Sequence, residues 1–269
     1  MSFFPKYLLI ATGVFSLVLL TPNVSAQQTS IPEDALSVDV FNLFKNAVQY
    51  VQIANISDEQ EVAIGRQINE KLLSQQYELA QDPQLQNYVD TIGKELLASS
   101  DTREIPYTFQ VVNSEQVNAF ATPGGFVYVT TGLIEAADNQ EQLASVIAHE
   151  IAHIEEKHGV KNLKQAALAQ GIAETAGVST NTLAQIGYKL AVDLPQSRDY
   201  EYEADRIGLE ILQNAGYSPM AFVAFLEKLQ EGNQPEFLRT HPTNANRIEA
   251  IAREMEAQTT LNKENESNP

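Results

Sequence analysis

The chain has 269 residues, with 17 lysine and arginine side chains against 35 aspartate and glutamate side chains, a formal net charge of −18. This length is enough to bury a substantial core in one or two domains. The negative charge excludes a nucleic-acid partner, which requires a basic surface, and also electrostatic attachment to anionic lipids. Because the sequence contains no cysteine, any metal must be held by imidazole and carboxylate groups.

Residues 1–26 have the composition of a secretory signal peptide. Lys6 is their only charged side chain, residues 7–20 are mostly apolar, and the segment ends at Ala26 in a small-residue cleavage site. The apolar stretch is short for a membrane span, which needs about 20 residues. The sequence therefore predicts a protein exported to the bacterial periplasm or envelope, with no integral span after signal removal. Retention of the segment as a membrane anchor is the alternative.

Three helices are predicted after the signal peptide. Residues 27–54 are interpreted as an N-terminal linker and helix, because apolar residues recur at helical spacing from Val40 to Ile53. Residues 57–60 have the form of a capping box at the start of a second helix. Asp82 and Pro83 mark the start of a third, with proline at the first helical position.

The pattern changes to period two at residues 107–112 and again at residues 126–129, which predicts a small sheet of two or three short strands. Helical periodicity returns at residue 139 and continues to about residue 255, including a long helical segment from Leu163 to Leu194. Residues 256–269 have the composition of a polar tail. No internal repeat of solenoid period is present.

The first chemical motif is His149, Glu150 and His153 on a predicted helix. Positions i and i+4 lie on one face, so both imidazoles can reach one cation. Glu150 is rotated by about 100° from His149. From there it can hydrogen-bond a water on the metal without being a ligand. The alternative interpretation is a pair of core histidines on an amphipathic helix.

The second motif is a run of carboxylates at residues 198–205. A hydrolytic zinc usually takes three protein ligands and leaves one position for water. Glu201 and Asp205 share a helical face, so one can bind the metal while the other accepts a hydrogen bond from a ligating histidine. Glu203 points about 200° away from Glu201 and is predicted to be a surface charge. A solvated acidic face is the alternative for the whole run.

The two remaining histidines also lie near these motifs. His158 is five residues after His153 and off its helical face, so it is predicted to support the site or cap a helix rather than bind the metal. His241 precedes a proline, and Arg247 follows six residues later.

Taken together, these two motifs and a third, formed by residues 240–242 with Arg247, make the chain resemble the CAAX-prenyl-protease-like zinc metallopeptidases, and within them a soluble exported branch. The resemblance covers roughly residues 55–255, which defines the predicted metallopeptidase domain. It implies an α+β, mostly helical gluzincin fold with a small sheet beside the active-site helix. Within these 269 residues the sequence predicts neither the multiple membrane spans of other branches nor the helical-repeat domain that follows the protease core in some members of its own.

The resemblance also implies the roles of individual residues. One Zn²⁺ per chain would be bound by His149, His153 and Glu201, with Glu150 as general base. Asp205 would orient a ligand, His241 would occupy the open metal position or face the substrate, and Arg247 would stabilise the oxyanion. Residues 118–125 resemble the segment leading into the substrate-binding edge strand; the residues singled out there are Asn118, Ala119, Phe120, Gly124 and Gly125.

The expected function is zinc-dependent hydrolysis of peptide bonds in unfolded or misassembled envelope proteins, a form of protein quality control. The expected partners are polypeptide substrates, including outer-membrane or other envelope proteins. Two alternatives stay open at this point. One is a latent zinc-bound chaperone or adaptor, with the long Leu163–Leu194 segment covering the cleft and His241 plugging the zinc. The other is an amidase acting on cell-wall peptides.

Overall fold

The computed structural model describes residues 50–173, 177–193, 197–231, 235–242 and 247–253, all within the unit Asn42–Pro269. The predicted signal peptide, the polar tail and most of the predicted linker and helix of residues 27–54 lie outside these residues. Within them the chain is mostly helical with a small sheet, which confirms the predicted α+β fold class. No helix in this part of the chain is both long and apolar enough to span a membrane.

The helices are α1 (Asp58–Gln75), α2 (Pro83–Ala98), α3 (Thr131–Ala136), α4 (Gln140–Glu155), α5 (His158–Ala169), α6 (Thr180–Asp193), α7 (Arg198–Asn214), α8 (Met220–Gln230) and α9 (Glu236–Thr240), and residues 247–253 are also helical. The strands are β1 (Tyr50–Gln52), β2 (Thr108–Val112), β3 (Ala119–Thr122), β4 (Phe126–Thr130) and β5 (Gly177–Ser179).

The predicted small sheet is formed by β2, β4 and β3 in that order. β4 pairs parallel with β2 and antiparallel with β3, so β3 lies at an edge. Every residue of β4 is buried, as expected for a central strand covered on both faces. Val127 and Val129 pack into one apolar cluster with α2 and α4, whereas Phe126 and Tyr128 pack into a second with α1, α5 and α6.

Local sequence signals define where α1 and α2 begin. The Ser57 hydroxyl accepts a hydrogen bond from the Gln60 backbone N–H, and the Gln60 side chain accepts one from Ser57 N, so the predicted capping box is confirmed. Asp82 caps α2, and Pro83 takes the first helical position, where its missing N–H costs nothing. Both helices therefore begin where the sequence predicts.

An ion-pair cluster, here called the Asp58 cluster, ties the start of α1 to the end of α4. One guanidinium nitrogen of Arg103 lies 2.7 Å from both the Asp58 and the Glu61 carboxylates, and Lys157 Nζ lies 2.7 Å from Asp58. The buried Glu61 also accepts a hydrogen bond of 3.0 Å from the N–H of Gly124, in the turn between β3 and β4. The cluster therefore fixes three segments that border the site.

Two predicted helical stretches are wrong. α5 ends at Ala169 and α6 begins only at Thr180, so the predicted continuous helix from Leu163 is two helices with β5 between them. Gly171 ends α5 with a φ of +80° in a Schellman motif, in which Ile172 N donates to Ala167 O and Gly171 N donates to Leu168 O. A left-handed residue at this position stops the helix.

The end of the helix predicted from Val40 to Ile53 is a strand in the structure. Residues 50–52 form β1, which pairs antiparallel with β5 in the register Tyr50↔Ser179 and Gln52↔Gly177. Ile53–Asn55 then makes a single 3-10 turn before α1. Pairing with a strand distant in sequence outweighs the local helical spacing in these residues.

Candidate metal centre

Helix α4 carries the first motif and is buried on all sides. Every residue from Gln142 to Ile154 is buried, which is typical of a helix that passes through a core. His149 and Glu150 are fully buried and His153 is 4% exposed. The helix ends at Glu155, and Lys157, with a φ of +54°, turns the chain so that α5 begins at His158. Burial of three ionisable side chains in one helix requires partners from other elements.

Helix α7 supplies those partners because it packs against α4 at very short range. A Cβ added to Gly208 would lie 3.1 Å from the backbone N and Cα of His149, so only glycine allows the two helices to approach this closely without a shift. Glu201 and Asp205 lie on the same face of α7, at 1% and 3% exposure. The close approach at Gly208 therefore brings both carboxylates to the His149 ring.

Four side-chain donors converge at this point, from His149, His153, Glu201 and His241. The Nε2 atoms of His149 and His153 are 3.1 Å apart, and the Glu201 oxygens lie 3.5 Å and 3.4 Å from them. Tetrahedral ligands about 2.0–2.1 Å from a zinc ion are separated from one another by about 3.3 Å. The observed spacings are close to that value, so the donor set is suited to holding a single metal ion.

His241 contributes the fourth donor of the group. Its Nδ1 lies 3.1 Å from Glu201 Oε1 and 3.4 Å from His149 Nε2. His241 follows α9, and its backbone N–H donates to the Phe237 carbonyl while its ring stacks on the Phe237 ring with centroids 4.7 Å apart. These contacts direct the imidazole toward the other three donors.

Asp205 and Arg247 form a second layer behind the donors. Asp205 Oδ1 lies 3.1 Å from His149 Nδ1, where the predicted orienting role requires it. The buried guanidinium of Arg247 contacts both Asp205 oxygens, at 2.5 Å and 2.7 Å, and a Glu201 oxygen at 2.6 Å. Arg247 therefore holds two carboxylates in place. The oxyanion role implied for it stays a prediction.

His158 supports the opposite side of the cluster. Its Nδ1 lies 2.8 Å from His153 Nδ1, and its Nε2 lies 3.0 Å from Glu203 Oε2. Tyr200 stacks on the His158 ring with centroids 4.3 Å apart. Glu203 is half-exposed, but it is hydrogen-bonded to the site rather than being the simple surface charge that the helical geometry predicted. Only the tertiary position of His158 reveals this, because nothing in the spacing of α7 indicates a partner for Glu203.

The buried ionisable groups of the cluster have pKa values shifted in different directions. Burial lowers the pKa of His149, but Asp205 and Glu201 outweigh it and raise the pKa to about 9. Burial lowers the pKa of His153 to about 3, which favours the neutral imidazole that binds metal. Burial opposes ionisation of Glu201, yet His241 and Arg247 hold the pKa of its carboxyl well below the usual range. The carboxylate is therefore ionised, as a metal ligand must be.

Glu150 stands apart from the donor set. Both of its carboxylate oxygens are buried and accept no hydrogen bond from the described residues, and His241 Nε2 lies 3.4 Å from one of them. Burial raises the pKa of this carboxyl. An orphaned, desolvated carboxylate facing the cluster is suited to accept a proton from a water molecule.

The predicted edge-strand segment lies beside the cluster. β3 contains Ala119 and Phe120 and forms an edge of the three-stranded sheet, and Phe120 stacks on Tyr128 of β4 with centroids 4.5 Å apart. The buried Asn118 accepts a hydrogen bond from the Thr240 hydroxyl, next to His241. Gly124 and Gly125 form the following turn with φ values of +84° and +90°, which favour glycine. The structure thus brings residues 120–123 into the lining of the cavity beside Glu150, His153 and His241, and contact of the segment with substrate stays a prediction.

The fold and the site define a metallopeptidase centre. In it, two imidazoles from one helix meet a carboxylate from a second helix, beside a glutamate that is not one of the donors. The sequence profile of peptidase family M48 matches residues 83–255, more than half of the chain. The chain therefore belongs to peptidase family M48. This confirms the predicted family and, at the level of the family, the predicted enzyme class.

Several curated proteins are similar to this chain. It is 31% identical over 264 residues to the beta-barrel assembly-enhancing protease of Yersinia pestis, covering 89% of this chain and 52% of that protein. The corresponding protein of Escherichia coli is 32% identical over 189 residues, covering 63% of this chain and 39% of that protein. The mitochondrial metalloendopeptidase OMA1 of Schizosaccharomyces pombe is 31% identical over 172 residues, covering 61% and 51% respectively. The chain thus spans about half, or less, of the length of these relatives.

Proposed function

We propose that this protein is a zinc-dependent metalloendopeptidase that cleaves unfolded or misassembled proteins of the bacterial envelope. The observation that carries the proposal is the convergence of His149, His153 and Glu201 at spacings suited to a single metal ion beside the orphaned carboxylate of Glu150. Three imidazoles and one carboxylate, without thiolate, form a donor set that suits zinc. The names of the bacterial relatives and the predicted signal peptide support the envelope as the location.

Each residue of the site has its own proposed role in the reaction. When bound, zinc polarises the scissile carbonyl and lowers the pKa of water. Glu150 accepts the proton of the attacking water on its carboxylate and passes it to the leaving amine. Asp205 and Arg247 fix the ring of His149 and the carboxylate of Glu201, so the donors need no reorganisation. Arg247 is the proposed group for stabilising charge on the carbonyl oxygen.

The edge strand provides a place for the substrate. An extended polypeptide can add to β3 by pairing main chain to main chain, a mode of binding that accepts many sequences. Such tolerance suits an enzyme that removes damaged proteins rather than processing a single target. It also requires the substrate to be unfolded locally, because a folded segment cannot offer a free strand.

Replacement of Glu150 by glutamine tests the proposal. The purified chain is loaded with zinc and assayed for cleavage of casein, and Glu150→Gln is expected to lose about 10²-fold or more of the rate while keeping its metal content and circular dichroism. Glu210→Gln makes the same change at an exposed position of α7 and should have wild-type activity. Unchanged activity in Glu150→Gln would contradict the mechanism.

Two further assays separate the alternative functions. Digestion of purified peptidoglycan beside casein distinguishes a cell-wall amidase from a protease. Suppression of aggregation by a wild-type chain that cleaves neither substrate would indicate a chaperone or adaptor. Metal analysis of Glu201→Ala, which should bind less zinc than the wild type, tests the proposed ligand set independently of activity.

A further inference from the structure

A second cavity adjoins the candidate metal centre. The first cavity, here called the cleft, is lined by residues that include Glu150, His153 and His241. The second, with a volume of about 440 Å³, extends away from the cleft between α5 and α6. The two cavities share six lining residues: Ala121, Thr122, Pro123, Gly159, Leu190 and Ala191. The second cavity is therefore a side pocket of the cleft, and its volume is in the range of about 300–1,000 Å³ that is typical of ligand sites.

The chemistry of this side pocket differs from that of the cleft. The cleft is lined by charged groups that include Glu61, Glu150 and Lys157, whereas none of the described residues that line the side pocket carries a charge. Four of its lining residues are alanines, which supply apolar surface and leave space. A charged side chain entering this pocket would lose its hydration without gaining an ion pair, whereas an apolar one would gain by leaving water.

The side pocket also borders the edge strand β3. Ala121 and Thr122 belong to β3, so a polypeptide paired with β3 passes directly over the shared wall of the two cavities. Successive side chains of an extended peptide point to opposite faces. A peptide with its scissile bond at the metal centre can therefore direct one nearby side chain into the side pocket while the next points away.

We infer that the side pocket between α5 and α6 is a specificity pocket that binds one large apolar side chain of a polypeptide substrate, such as that of leucine or phenylalanine. The inference rests on the proposed function, because it assumes a peptide held along β3. It deepens that function by naming a substrate class, namely unfolded segments with a large apolar residue at one fixed position from the cleaved bond. Such residues are buried in folded proteins and exposed in misassembled ones.

Ala166 offers a way to fill the pocket without touching the cleft. It lines the side pocket but not the first cavity. Leu168 lies two residues further along α5, is 41% exposed and does not line either cavity. Ala166→Phe and Leu168→Phe thus place the same ring on one helix, inside and outside the pocket.

The experiment profiles cleavage of a peptide library by the full-length, zinc-loaded protein, with sites read by mass spectrometry. The wild type and Leu168→Phe are expected to favour leucine or phenylalanine at one position, with kcat/KM about 10–200-fold above that for glycine or aspartate. Ala166→Phe should lose this preference, whereas Leu168→Phe should keep both the preference and the wild-type rate. Ala166→Leu should show a smaller loss, which covers the case in which the phenylalanine variant fails to fold.

A binding arm keeps the inference testable if no cleavage occurs. Fluorescence anisotropy with Glu150→Gln, alone and combined with Ala166→Phe or Leu168→Phe, compares peptides that differ only in one leucine or aspartate. Tighter binding of the leucine peptide, lost only with Ala166→Phe, would support the pocket even if the proposed activity failed. Cleavage or binding without an apolar preference, or with one that Ala166→Phe leaves unchanged, would overturn the inference and leave the proposed function standing.

Discussion

His153 Nδ1 and His158 Nδ1 lie 2.8 Å apart, so one of the two nitrogens must carry a proton and the other must accept it. His153 Nε2 faces the donor cluster and has to be unprotonated there to bind a metal. Its Nδ1 therefore carries the proton and donates to His158. His158 must then carry its own proton on Nε2, which donates to Glu203. The geometry thus defines the tautomers of a chain of hydrogen bonds from the metal centre to the surface.

This series of hydrogen bonds predicts that His158 and Glu203 affect metal affinity without being ligands. Residues that fix a ligating histidine typically contribute 10–100-fold to metal affinity. We expect His158→Phe, which keeps the ring but cannot accept the proton of His153, to weaken zinc binding by about that factor. Glu203→Ala should have a smaller effect in the same direction, because Glu203 acts only through His158. Competition with a chromophoric chelator measures both.

Glu210→Ala is the matched control, since Glu210 is an exposed carboxylate on the same helix. It removes the same charge from α7 but should leave zinc affinity unchanged. Equal affinities for the wild type and His158→Phe would show that the hydrogen bond between the histidines does not orient His153.

The close approach of α7 to α4 at Gly208 predicts that this glycine is required for the metal centre. Gly208→Val would force the α7 backbone away from His149, because the nearest atoms are main-chain atoms of a buried helix. We expect the free energy of unfolding to fall by about 1–3 kcal/mol, as for overpacking elsewhere. Zinc affinity should fall more than stability alone explains, because Glu201 and Asp205 move with α7. Chemical denaturation and chelator competition measure the two effects.

Gly93→Ala controls for the loss of stability. A Cβ at Gly93 would lie 2.4 Å from the Phe109 ring, between α2 and the sheet and away from the donors. This variant should be destabilised with its zinc affinity unchanged. If Gly208→Val bound zinc as tightly as Gly93→Ala, the glycine would serve packing only.

His241 completes a four-donor set, which predicts that it restrains activity in this conformation. Catalytic zinc sites keep three protein ligands and an open position, whereas sites with four protein ligands are usually structural. We expect His241→Phe, which retains a ring to stack on Phe237, to bind zinc more weakly and to cleave casein faster than the wild type. His241→Ala should show the same direction. A loss of activity in both variants would instead support the other predicted role of His241, in which it faces the substrate.

The local part of the site could be predicted from the sequence, because it depends only on helix geometry. His149 and His153 share a face at i and i+4, and Glu201 and Asp205 do the same on α7. That these two helices meet could not be derived from spacing. It depends on the close contact at Gly208, and in the sequence only the resemblance to a family brought the two motifs together.

Two of the errors have their physical origin in contacts between distant segments. Glu203 points away from Glu201, as helix geometry requires, but the left-handed Lys157 turns α5 so that His158 reaches it. The strand pair β1 and β5 joins segments far apart in the chain, and neither is long enough to show a period of two. By contrast, the break after α5 could have been predicted from the sequence alone, because glycine just past a helix end is a known stop signal.

The Asp58 cluster predicts how stability responds to acid. The hydrogen bond from Lys157, followed by that from Arg103, outweighs desolvation and lowers the pKa of Asp58 below its ordinary value of 3.8. A carboxyl whose pKa is lower in the folded state stabilises the protein above the unfolded pKa, and this contribution is lost as the pH falls through the folded value. We expect Asp58→Asn to lower the melting temperature by a nearly constant amount above about pH 5. The difference from the wild type should shrink progressively below about pH 4. Because the Asp58 side chain is 45% exposed, the contribution should be under about 1 kcal/mol.

Asp101→Asn, at an exposed position outside the cluster, is the control, and its melting temperature should run parallel to that of the wild type over the same pH range. Melting curves between pH 7 and about pH 3.5 make the comparison, and a difference that grew on acidification would contradict the assignment.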